Sequence, residues 1–417
     1  MAGAHRPLSG RSQGPIVIRR PRIVSYTSGR WPCGVATYQA NLAAALSEFV
    51  DVETIRMPDD RIFGANVNAI LKQRRLYQRL ARRSAGFDAA IIDYTDTFWN
   101  GSRLGENLFP AFSTSLRAPA TVILHERPGR IDPAEVNGPL LYRGLLRLVH
   151  TTLMAWDTGL IKYEQYINHH MLRFAKAIVM HSENLADTVR TESPNYRVHY
   201  CSAPAYPLAE SEWSTHEVNE RFQLADKTVL IVLGFPQVSK GFDRAIACLP
   251  HLPTNVVLVQ VGHSESSEPA GQILVHQAAT LGVSLRFLRT GPLNDGQLAS
   301  VLRRSDLALV PFRSVHHSSS LGHLISAGAP ILAAQLPTIE RLANDGAGIA
   351  FTTWGEPKAL AREINRLLAS IDEIERLKRL NVDYLARHRF RDFALELLTI
   401  MNIPVDAQPV RGEQRAQ

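Results

Sequence analysis

Apolar residues in this chain occur in two alternating patterns. Short, unbroken apolar runs, such as TVLIVL at 228–233 and VVLVQV at 256–261, are typical of buried β-strands. Between these runs lie segments whose apolar residues recur every three or four positions, which is the spacing of an amphipathic helix. Strands are predicted at 22–26, 50–55, 89–93, 121–124, 177–180, 228–233, 256–261, 285–288, 306–310 and 330–333. Strands that alternate with helices predict an α/β fold built on parallel sheets.

The alternation of strand and helix begins twice along the chain. A proline-rich break, APAYP at 203–207, separates five predicted strands from the five that follow. The sequence therefore predicts two doubly wound, Rossmann-like domains at 21–205 and 206–385, with a disordered lead-in at 1–20 and a disordered tail at 403–417. Because ligands of such sheets bind at the carboxyl ends of the strands, we expect the two facing sheets to enclose a cleft that holds the site.

The composition is that of an ordinary globular protein. Of 417 residues, 45% are hydrophobic and 20% are charged, and the net charge of +7 suits an anionic substrate, an anionic membrane or nucleic acid. The three cysteines, Cys33, Cys201 and Cys248, form no CxxC pair, so neither a zinc site nor a disulfide framework is predicted. We expect a cytoplasmic location, because no segment has the ~18 consecutive apolar residues of a membrane span and the N-terminus lacks the apolar stretch of a signal peptide.

The first candidate site is the loop GFPQVSKG at 234–241, which follows a predicted strand and leads into a predicted helix. The amides of a helix N-terminus and a lysine ammonium can together hold a phosphate. Gly234 opens this loop, and Lys240 is the candidate cation. The alternative is a solvated lysine that happens to lie near the start of a helix.

The second candidate site is the segment 311–330, which follows the predicted strand DLALV. Ser318, Ser319 and Ser320 lead into a helix, where their hydroxyls and amides either bind phosphate or only cap the helix. Arg313 lies nearby in the sequence and is a candidate for a bidentate contact with a diphosphate. Two such loops after neighbouring strands favour a diphosphate ligand over capping alone.

Over about residues 20–400 the chain resembles the family-4 glycosyltransferases of the GT-B fold. The segment PCGVATYQANLAAAL at 32–46 is similar to the glycine loop and first helix of that family, and LGFPQVSKGFDRAI at 233–246 resembles its Gly-x5-Lys-Gly loop. The segment 305–340 resembles the family's donor-binding loop and helix. The stretch YLARHRFRDFALELLTIM looks like the helix that crosses back to the first domain, which we expect at 386–402.

The resemblance implies a reaction. Such enzymes move a sugar from a nucleoside diphosphate sugar to a saccharide or lipid-linked acceptor, usually with retention at the anomeric carbon, in settings such as polysaccharide biosynthesis. They need no metal and no cofactor, because the residues matching Lys240, Ser319 and Ser320 stabilise the leaving diphosphate. The resemblance also implies that Gly34 lets donor or acceptor approach closely, and that His125 contacts the transferred sugar or orients the acceptor. The first domain would bind the acceptor and the second the nucleotide sugar.

Three positions depart from the family's pattern. Phe235 stands where many members have an arginine, while Val315 and His323 stand where many have the two glutamates of a Glu-x7-Glu pair. The second glutamate normally holds the ribose, so His323 is the candidate at the ribose position. These departures keep open a nucleotide-sugar-binding partner subunit that has lost catalysis. A GT-B epimerase or a phosphorylase is a second alternative.

Two features of the first predicted domain have two interpretations each. The helix predicted at 66–84 is basic and amphipathic, so it either makes a peripheral contact with the inner face of a membrane or packs by its apolar side, with its charges in solvent. Asp96 and Trp99 follow the strand predicted at 89–93, at the expected mouth of the cleft. They either hydrogen-bond to and stack on an acceptor sugar or are ordinary loop residues.

Two classes of ligand are not predicted. The histidine pairs at 169–170 and 316–317 have no carboxylate or cysteine at ligand spacing, so no metal site is expected. The basic residues form no recognised nucleic-acid-binding motif, and a nucleic-acid partner would leave the loop at 234–241 unexplained.

Overall fold

The computed structural model describes residues 19–29, 34–58, 67–95, 99, 108–125, 174–192, 194, 196–262, 268–315 and 318–405. Several sequence predictions lie outside these residues. They are the lead-in up to residue 18, Cys33, Asp96, the histidine pairs at 169–170 and 316–317, and the tail from residue 406.

The first sheet contains six parallel strands in the order β2–β1–β3–β4–β5–β6. They are β1 (Arg22–Ser28), β2 (Asp51–Met57), β3 (Ala89–Tyr94), β4 (Ala120–Leu124), β5 (Ala175–Met180) and β6 (Val198–Tyr200). Every residue of β3 and β4 is buried, as in parallel sheets covered on both faces. Tyr94, Leu124 and Met180 are register partners, so the residues that follow β3, β4 and β5 meet at one edge of the sheet.

The second sheet also contains six parallel strands, in the order β12–β11–β10–β7–β8–β9. They are β7 (Thr228–Leu233), β8 (Val256–Val261), β9 (Phe287–Arg289), β10 (Leu307–Val310), β11 (Ile331–Ala334) and β12 (Ile349–Thr352). The strand predicted at 285–288 begins two residues later, because Leu285 is almost fully exposed in a 3₁₀ turn before β9. Strands β6 and β12 were not predicted, since both are short and lie at sheet edges.

Helices connect and cover both sheets. The described helices are α1 (Gly34–Leu46), α2 (Val67–Arg82), α3 (Phe109–Ser113), α4 (Glu183–Glu192), α5 (Thr215–Phe222), α6 (Phe242–Cys248), α7 (Glu268–Thr280), α8 (Asp295–Arg303), α9 (Ser319–Ser326), α10 (Pro337–Asn344), α11 (Pro357–Ala369), α12 (Ile371–Arg387) and α13 (Phe390–Ile400). The α/β class predicted from the hydrophobic pattern is therefore confirmed. The predicted domain boundaries at 205 and 385 stay predictions.

Helix α13 packs against α1 of the first unit. Phe390 and Phe393 of α13 join Tyr38 and Leu42 of α1 in one buried cluster, with the Tyr38 and Phe390 rings 5.4 Å apart between centroids. Each aromatic side chain buried in this way stabilises the contact by roughly 1.5–3 kcal/mol relative to leaving it exposed. Helix α13 therefore fastens the end of the chain to the unit in which the chain begins.

The basic helix α2 packs by one face and exposes its charges. Gln73, Tyr77 and Ala81, spaced four residues apart, are fully buried, while Lys72 and Arg79 are exposed. Spacing by four places the buried residues on one side of the helix, which packs against α3. This arrangement matches the packed interpretation, and a membrane contact through the exposed face stays a prediction. Within the described ranges, no helix combines the length and the apolar character that a membrane span needs.

Candidate active site

The glycine loop between β7 and α6 presents Lys240 to a run of serines. Gly234 has φ +124° and Gly241 has φ +63°, backbone conformations that favour glycine, and a 3₁₀ turn at Val238–Lys240 lies between them. The Lys240 ammonium donates a hydrogen bond to Ser318 Oγ at 3.3 Å and lies 4.0 Å from the centre of the Phe312 ring. The loop therefore brings a cation to the N-terminus of α9, as the sequence predicted for an anion site.

Lys240 is a partly buried cation whose described contacts are neutral. Burial lowers the pKa of Lys240 from its ordinary value of 10.5 to about 8. Among the described residues, no carboxylate forms an ion pair with it, and its contacts are the Ser318 hydroxyl and the Phe312 ring. A partly buried ammonium without a carboxylate partner is stabilised when an anion binds beside it.

The three serines at the start of α9 have different surroundings. Ser318 is the N-cap, since its Oγ accepts a hydrogen bond from the Leu321 amide at 3.3 Å, so capping and the contact with Lys240 occur together. A Cβ atom placed on Gly234 would lie 3.0 Å from Ser320 Oγ. The first turn of α9, whose leading amides have no partner within the helix, thus faces the bare backbone of the glycine loop. We call Gly234, Lys240 and Ser318–Ser320 the donor face.

Gly34 meets the donor face from the other side of the cleft. It is the first residue of α1, and a Cβ atom placed on it would lie only 2.7 Å from Ser319 Oγ. Such a contact is too short for any residue other than glycine unless the Ser319 side chain or the backbone beside it shifts. Gly34 thus lies against Ser319, and the close approach of a donor or acceptor to Gly34 stays a prediction.

Arg313 requires a correction. Its guanidinium donates two hydrogen bonds of 2.7 Å to the Asp243 carboxylate and a third to the Val238 carbonyl at 2.9 Å. This pair lowers the pKa of Asp243. The bidentate partner of Arg313 is thus a carboxylate of α6, and the arginine braces the glycine loop where a direct contact with a diphosphate was expected.

His323 lies one turn inside α9 and stacks on Tyr206, with 4.7 Å between the ring centres. Its Nδ1 donates to the Ser319 carbonyl at 2.7 Å, and burial lowers its pKa. In a neutral ring with the proton on Nδ1, Nε2 is a hydrogen-bond acceptor. A ribose hydroxyl needs an acceptor of this kind, so the imidazole can take the role of the glutamate it replaces.

His125 is held by a carboxylate that the sequence analysis did not single out. His125 follows β4 and is buried, and its Nε2 lies 3.1 Å from Asp93 Oδ1 on the neighbouring strand β3. Burial raises the pKa of Asp93, and the hydrogen bond from His125 opposes that shift. The sequence did contain a signal for this pair. An acidic residue within the otherwise apolar run AAIID implies a hydrogen-bond partner close to that strand, because a buried carboxylate without one is costly.

Two more buried polar side chains complete this cluster. The Tyr38 hydroxyl donates to His181 Nε2 at 2.8 Å, and His181 Nδ1 donates to the Cys201 carbonyl at 2.9 Å. Burial lowers the pKa of His181 to about 3, so its ring is neutral at physiological pH. The Tyr38 ring stands edge-on to His125 at 5.0 Å. We call Tyr38, Asp93, His125 and His181 the histidine face.

The second unit matches a known family. Residues 226–370 match the family model described as "Glycosyl transferases group 1", and this segment contains the whole donor face. The unit is a group 1 glycosyltransferase domain. The Gly34 and histidine-face positions lie outside the segment matched by the group 1 model.

Curated relatives of the group 1 unit share a modest level of identity with the chain. It is 28% identical over 169 residues to D-inositol 3-phosphate glycosyltransferase of Xylanimonas cellulosilytica, an alignment that covers 39% of each protein. It is 23% identical over 222 residues to alpha-D-kanosaminyltransferase of Streptomyces kanamyceticus, covering 51% of the chain and 56% of that protein. The alignments therefore span about two fifths and somewhat over half of these relatives.

Solved structures share the fold of almost the whole chain. Sucrose-phosphate synthase from Thermosynechococcus elongatus superposes with a TM-score of 0.66 at 13% identity, covering 92% of the chain and 98% of that structure. Anabaena HepE in complex with UDP and glucose superposes with a TM-score of 0.63 at 15% identity, covering 91% and 99%. The predicted GT-B architecture is confirmed.

Trp99 also requires a correction. Only 1% of its surface is exposed, and its indole packs among the rings of Tyr77, Tyr94, Phe109 and Phe112. The expectation that Trp99 stacks on an acceptor at the mouth of the cleft is wrong, because the residue turns inward and completes the core behind β3. Asp96, its predicted companion, lies outside the described residues.

No metal-binding cluster is apparent in the described part of the chain, where no three histidine, cysteine or acidic side chains gather in a suitable arrangement. The cysteines Cys201 and Cys248 are buried and unbridged, and burial raises the pKa of both thiols. Neither thiol is therefore a nucleophile at physiological pH.

Proposed function

We propose that this chain is a metal-independent, retaining glycosyltransferase that moves a sugar from a nucleoside diphosphate sugar to a hydroxyl of a saccharide or lipid-linked acceptor. The observation that carries the proposal is the partly buried Lys240 ammonium, which faces the first turn of α9 and has no carboxylate partner among the described residues. UDP and glucose, which accompany the structurally similar HepE, support a nucleotide sugar as the donor class.

In the proposed reaction the bond between the anomeric carbon and the diphosphate oxygen breaks, and the acceptor oxygen bonds to the same carbon. The acceptor proton passes to the departing diphosphate. Lys240 and the amides of Ser319 and Ser320 stabilise the negative charge that develops on the leaving group, a contribution that often dominates such catalysis. His125, held by Asp93 at 3.1 Å, contacts the transferred sugar or orients the acceptor from the opposite side of the cleft.

A screen of nucleoside diphosphates tests the donor class directly. UDP, GDP, ADP, CDP and dTDP are added separately to the purified chain, and the melting temperature is recorded for each. A ligand that binds only the folded state stabilises it by RT ln(1 + [L]/Kd), so at least one diphosphate should raise the melting temperature in a saturable way. If none of the five does so, a nucleoside diphosphate sugar is not the donor.

One alternative function has a specific observation in its favour. Apolar Val315 and Phe235 stand where the family resemblance leads us to expect charged residues, which is what a nucleotide-sugar-binding partner subunit without catalysis would show. Saturable binding of one diphosphate, with neither donor hydrolysis nor transfer to a broad panel of acceptors, would favour that subunit. Release of sugar phosphate by inorganic phosphate would instead identify a phosphorylase.

A further inference from the structure

One polar side chain interrupts the apolar run of β8. Gln260 is only 1% exposed, and the other five residues of VVLVQV are apolar. A buried amide group is costly unless its nitrogen and its oxygen both have hydrogen-bond partners. The partners of Gln260 therefore indicate what the residue does.

The amide nitrogen of Gln260 holds two backbone carbonyls. Its Nε2 donates to the Gly234 carbonyl at 3.0 Å and to the Gly262 carbonyl at 2.5 Å. These glycines directly follow the neighbouring strands β7 and β8, and a Cβ atom placed on Gly262 would lie 3.2 Å from the carbonyl oxygen of Gly234. Gln260 thus joins the first residue of the glycine loop to the end of the adjacent strand.

The amide oxygen of Gln260 is held by Arg289, the last residue of β9. Arg289 Nε donates to Gln260 Oε1 at 3.0 Å, and the two terminal nitrogens of the arginine donate to the Glu268 carboxylate at 3.0 and 2.9 Å. Because a guanidinium only donates, this contact directs the oxygen of Gln260 to Arg289 and the nitrogen to the two carbonyls. A chain of polar groups therefore runs from the start of α7 to the donor face.

The glycine loop needs a fixed point of this kind. Gly234 has φ +124° and Gly262 has φ +110°, and a glycine backbone adopts several conformations at little cost. The peptide bond after Gly234 is planar, so its carbonyl and the Phe235 amide point in opposite directions. While Gln260 holds the carbonyl, the Phe235 amide points away from Gln260, and no described residue accepts a hydrogen bond from it.

Rotation of this peptide would affect the neighbourhood of Lys240. A Cβ atom placed on Gly234 would lie 3.8 Å from Lys240 Cε, so the two residues are in contact. A rotated peptide would aim a carbonyl oxygen where the Phe235 amide now points, and an anion beside Lys240 favours an amide over a carbonyl oxygen. Gln260 keeps that carbonyl on the side of the sheet.

We propose that Gln260 is a positioning residue of the donor face, which holds the Gly234 carbonyl and so keeps the glycine loop in the conformation that binds a diphosphate beside Lys240. Arg289 and Glu268 fix the orientation of the Gln260 amide. The inference rests on the proposed glycosyltransferase function and deepens it, because it adds to the diphosphate site a residue that acts through the glycine loop.

Calorimetry with a variant of similar shape tests the role of Gln260. UDP, GDP, ADP, CDP and dTDP are titrated separately into the unmodified chain and into Gln260→Met, which keeps the length of the side chain but donates no hydrogen bond. The Kd of each diphosphate that binds should rise roughly tenfold, since the Gly234 carbonyl loses its partner. Gln39→Met, which removes the hydrogen bond from another fully buried glutamine to Ser25, should leave this Kd unchanged.

A second variant tests the same contact more mildly. In Arg289→Met the glutamine stays but its orientation is no longer fixed, so the Kd should rise about threefold. The inference is overturned if both variants bind the diphosphate as tightly as the unmodified chain, or if Arg289→Met does so where Gln260→Met does not fold.

Hydrogen–deuterium exchange without ligand separates positioning from a merely structural role. In Gln260→Met, peptides that cover the glycine loop at 234–241 should exchange faster, while those that cover β7 and β10 should keep their protection. Faster exchange throughout the second unit, together with the loss of affinity, would show that Gln260 only stabilises the sheet and would also overturn the inference.

Failure of this inference differs from failure of the proposed function. The first leaves saturable binding of a diphosphate to the unmodified chain and shows only the two variants without a specific effect. The second appears in the unmodified chain, which then binds none of the five diphosphates.

Discussion

The two faces of the cleft differ in how the charge of an ionisable side chain is compensated. On the donor face, a partly buried lysine has only a hydroxyl and an aromatic ring as described partners, so its charge is left for a ligand. On the histidine face, the buried carboxylate of Asp93 is paired with His125 within the protein. The difference indicates that the donor face binds by charge, whereas the histidine face positions an imidazole.

The largest effect is expected from Lys240→Ala. Loss of a single preorganised group that stabilises transition-state charge typically slows catalysis about 10²–10³-fold, and transfer should fall by that factor. Steady-state assays of sugar transfer measure this change, with Lys227→Ala, an exposed lysine just before β7, as the matched control. Transfer at a near-normal rate by the Lys240→Ala variant would contradict the donor face.

The next largest effect is expected from Asp93→Asn on the histidine face. The amide keeps the shape of the carboxylate but loses its charge, so the orientation and tautomer of His125 are no longer favoured, and kcat should fall roughly ten- to a hundredfold. The affinity for the diphosphate should stay the same, because Asp93 does not belong to the donor face. Asp187→Asn, an exposed residue of α4, serves as the control. A variant that loses thermal stability but keeps kcat would show that Asp93 has only a structural role.

A smaller and gradual effect on the affinity for the diphosphate is expected when the pH is raised. Burial lowers the pKa of Lys240 to about 8, so the unliganded protein loses this positive charge as the pH rises through 8. The diphosphate binds the charged form, and its Kd should therefore rise about tenfold per pH unit above 8 and be nearly constant between about 7 and 8. Calorimetric titrations measure this profile, and Lys240→Arg should flatten it, because arginine stays protonated.

The same lysine has the opposite influence on stability. Between pH 8 and its ordinary pKa of 10.5, the unfolded chain holds a proton at Lys240 that the folded chain has lost. The contribution of Lys240 to the free energy of unfolding therefore rises with pH in this window. Comparison of urea unfolding between the unmodified chain and Lys240→Ala isolates this contribution. Parallel changes in affinity and stability with pH would argue against Lys240 as the titrating group.

The smallest effect on ligand binding is expected from Arg313→Gln. Since Arg313 is paired with Asp243, diphosphate affinity should change less than about threefold, and the partly exposed ion pair should contribute only about 0.5–1 kcal/mol to stability. Calorimetry and urea unfolding measure the two quantities. A tenfold or greater loss of affinity would return Arg313 to the role of a diphosphate ligand.

Most of the fold and the donor face could be predicted because their signals are local. Lys240 lies seven residues after the end of an apolar strand, and the serines lead directly into α9, so a short segment contains each arrangement. Arg313 was misjudged because its partner, Asp243, lies 70 residues away, on a helix whose position depends on the packed sheet.

The histidine face could not be predicted as a unit because it is assembled from four distant positions. Tyr38 lies on the buried side of α1, and its hydrogen bond to His181 joins residues separated by 143 positions. Trp99 shows the opposite error, because a residue assigned to the cleft lies in the core. Its sequence position after β3 suggested the cleft, but its indole packs beneath α2 and α3. Hydrophobic periodicity gives the direction of a side chain only where the backbone is regular.

The return of α13 to α1 has a consequence for biosynthesis. Tyr38 and Leu42 share their core with Phe390, Phe393 and Leu397, so the unit that contains α1 is completed by residues that are translated long after it. On the ribosome, the face of α1 that packs against α13 stays uncovered until α13 has been translated. We therefore expect chains that end before Phe390 to present an apolar surface to chaperones and proteases.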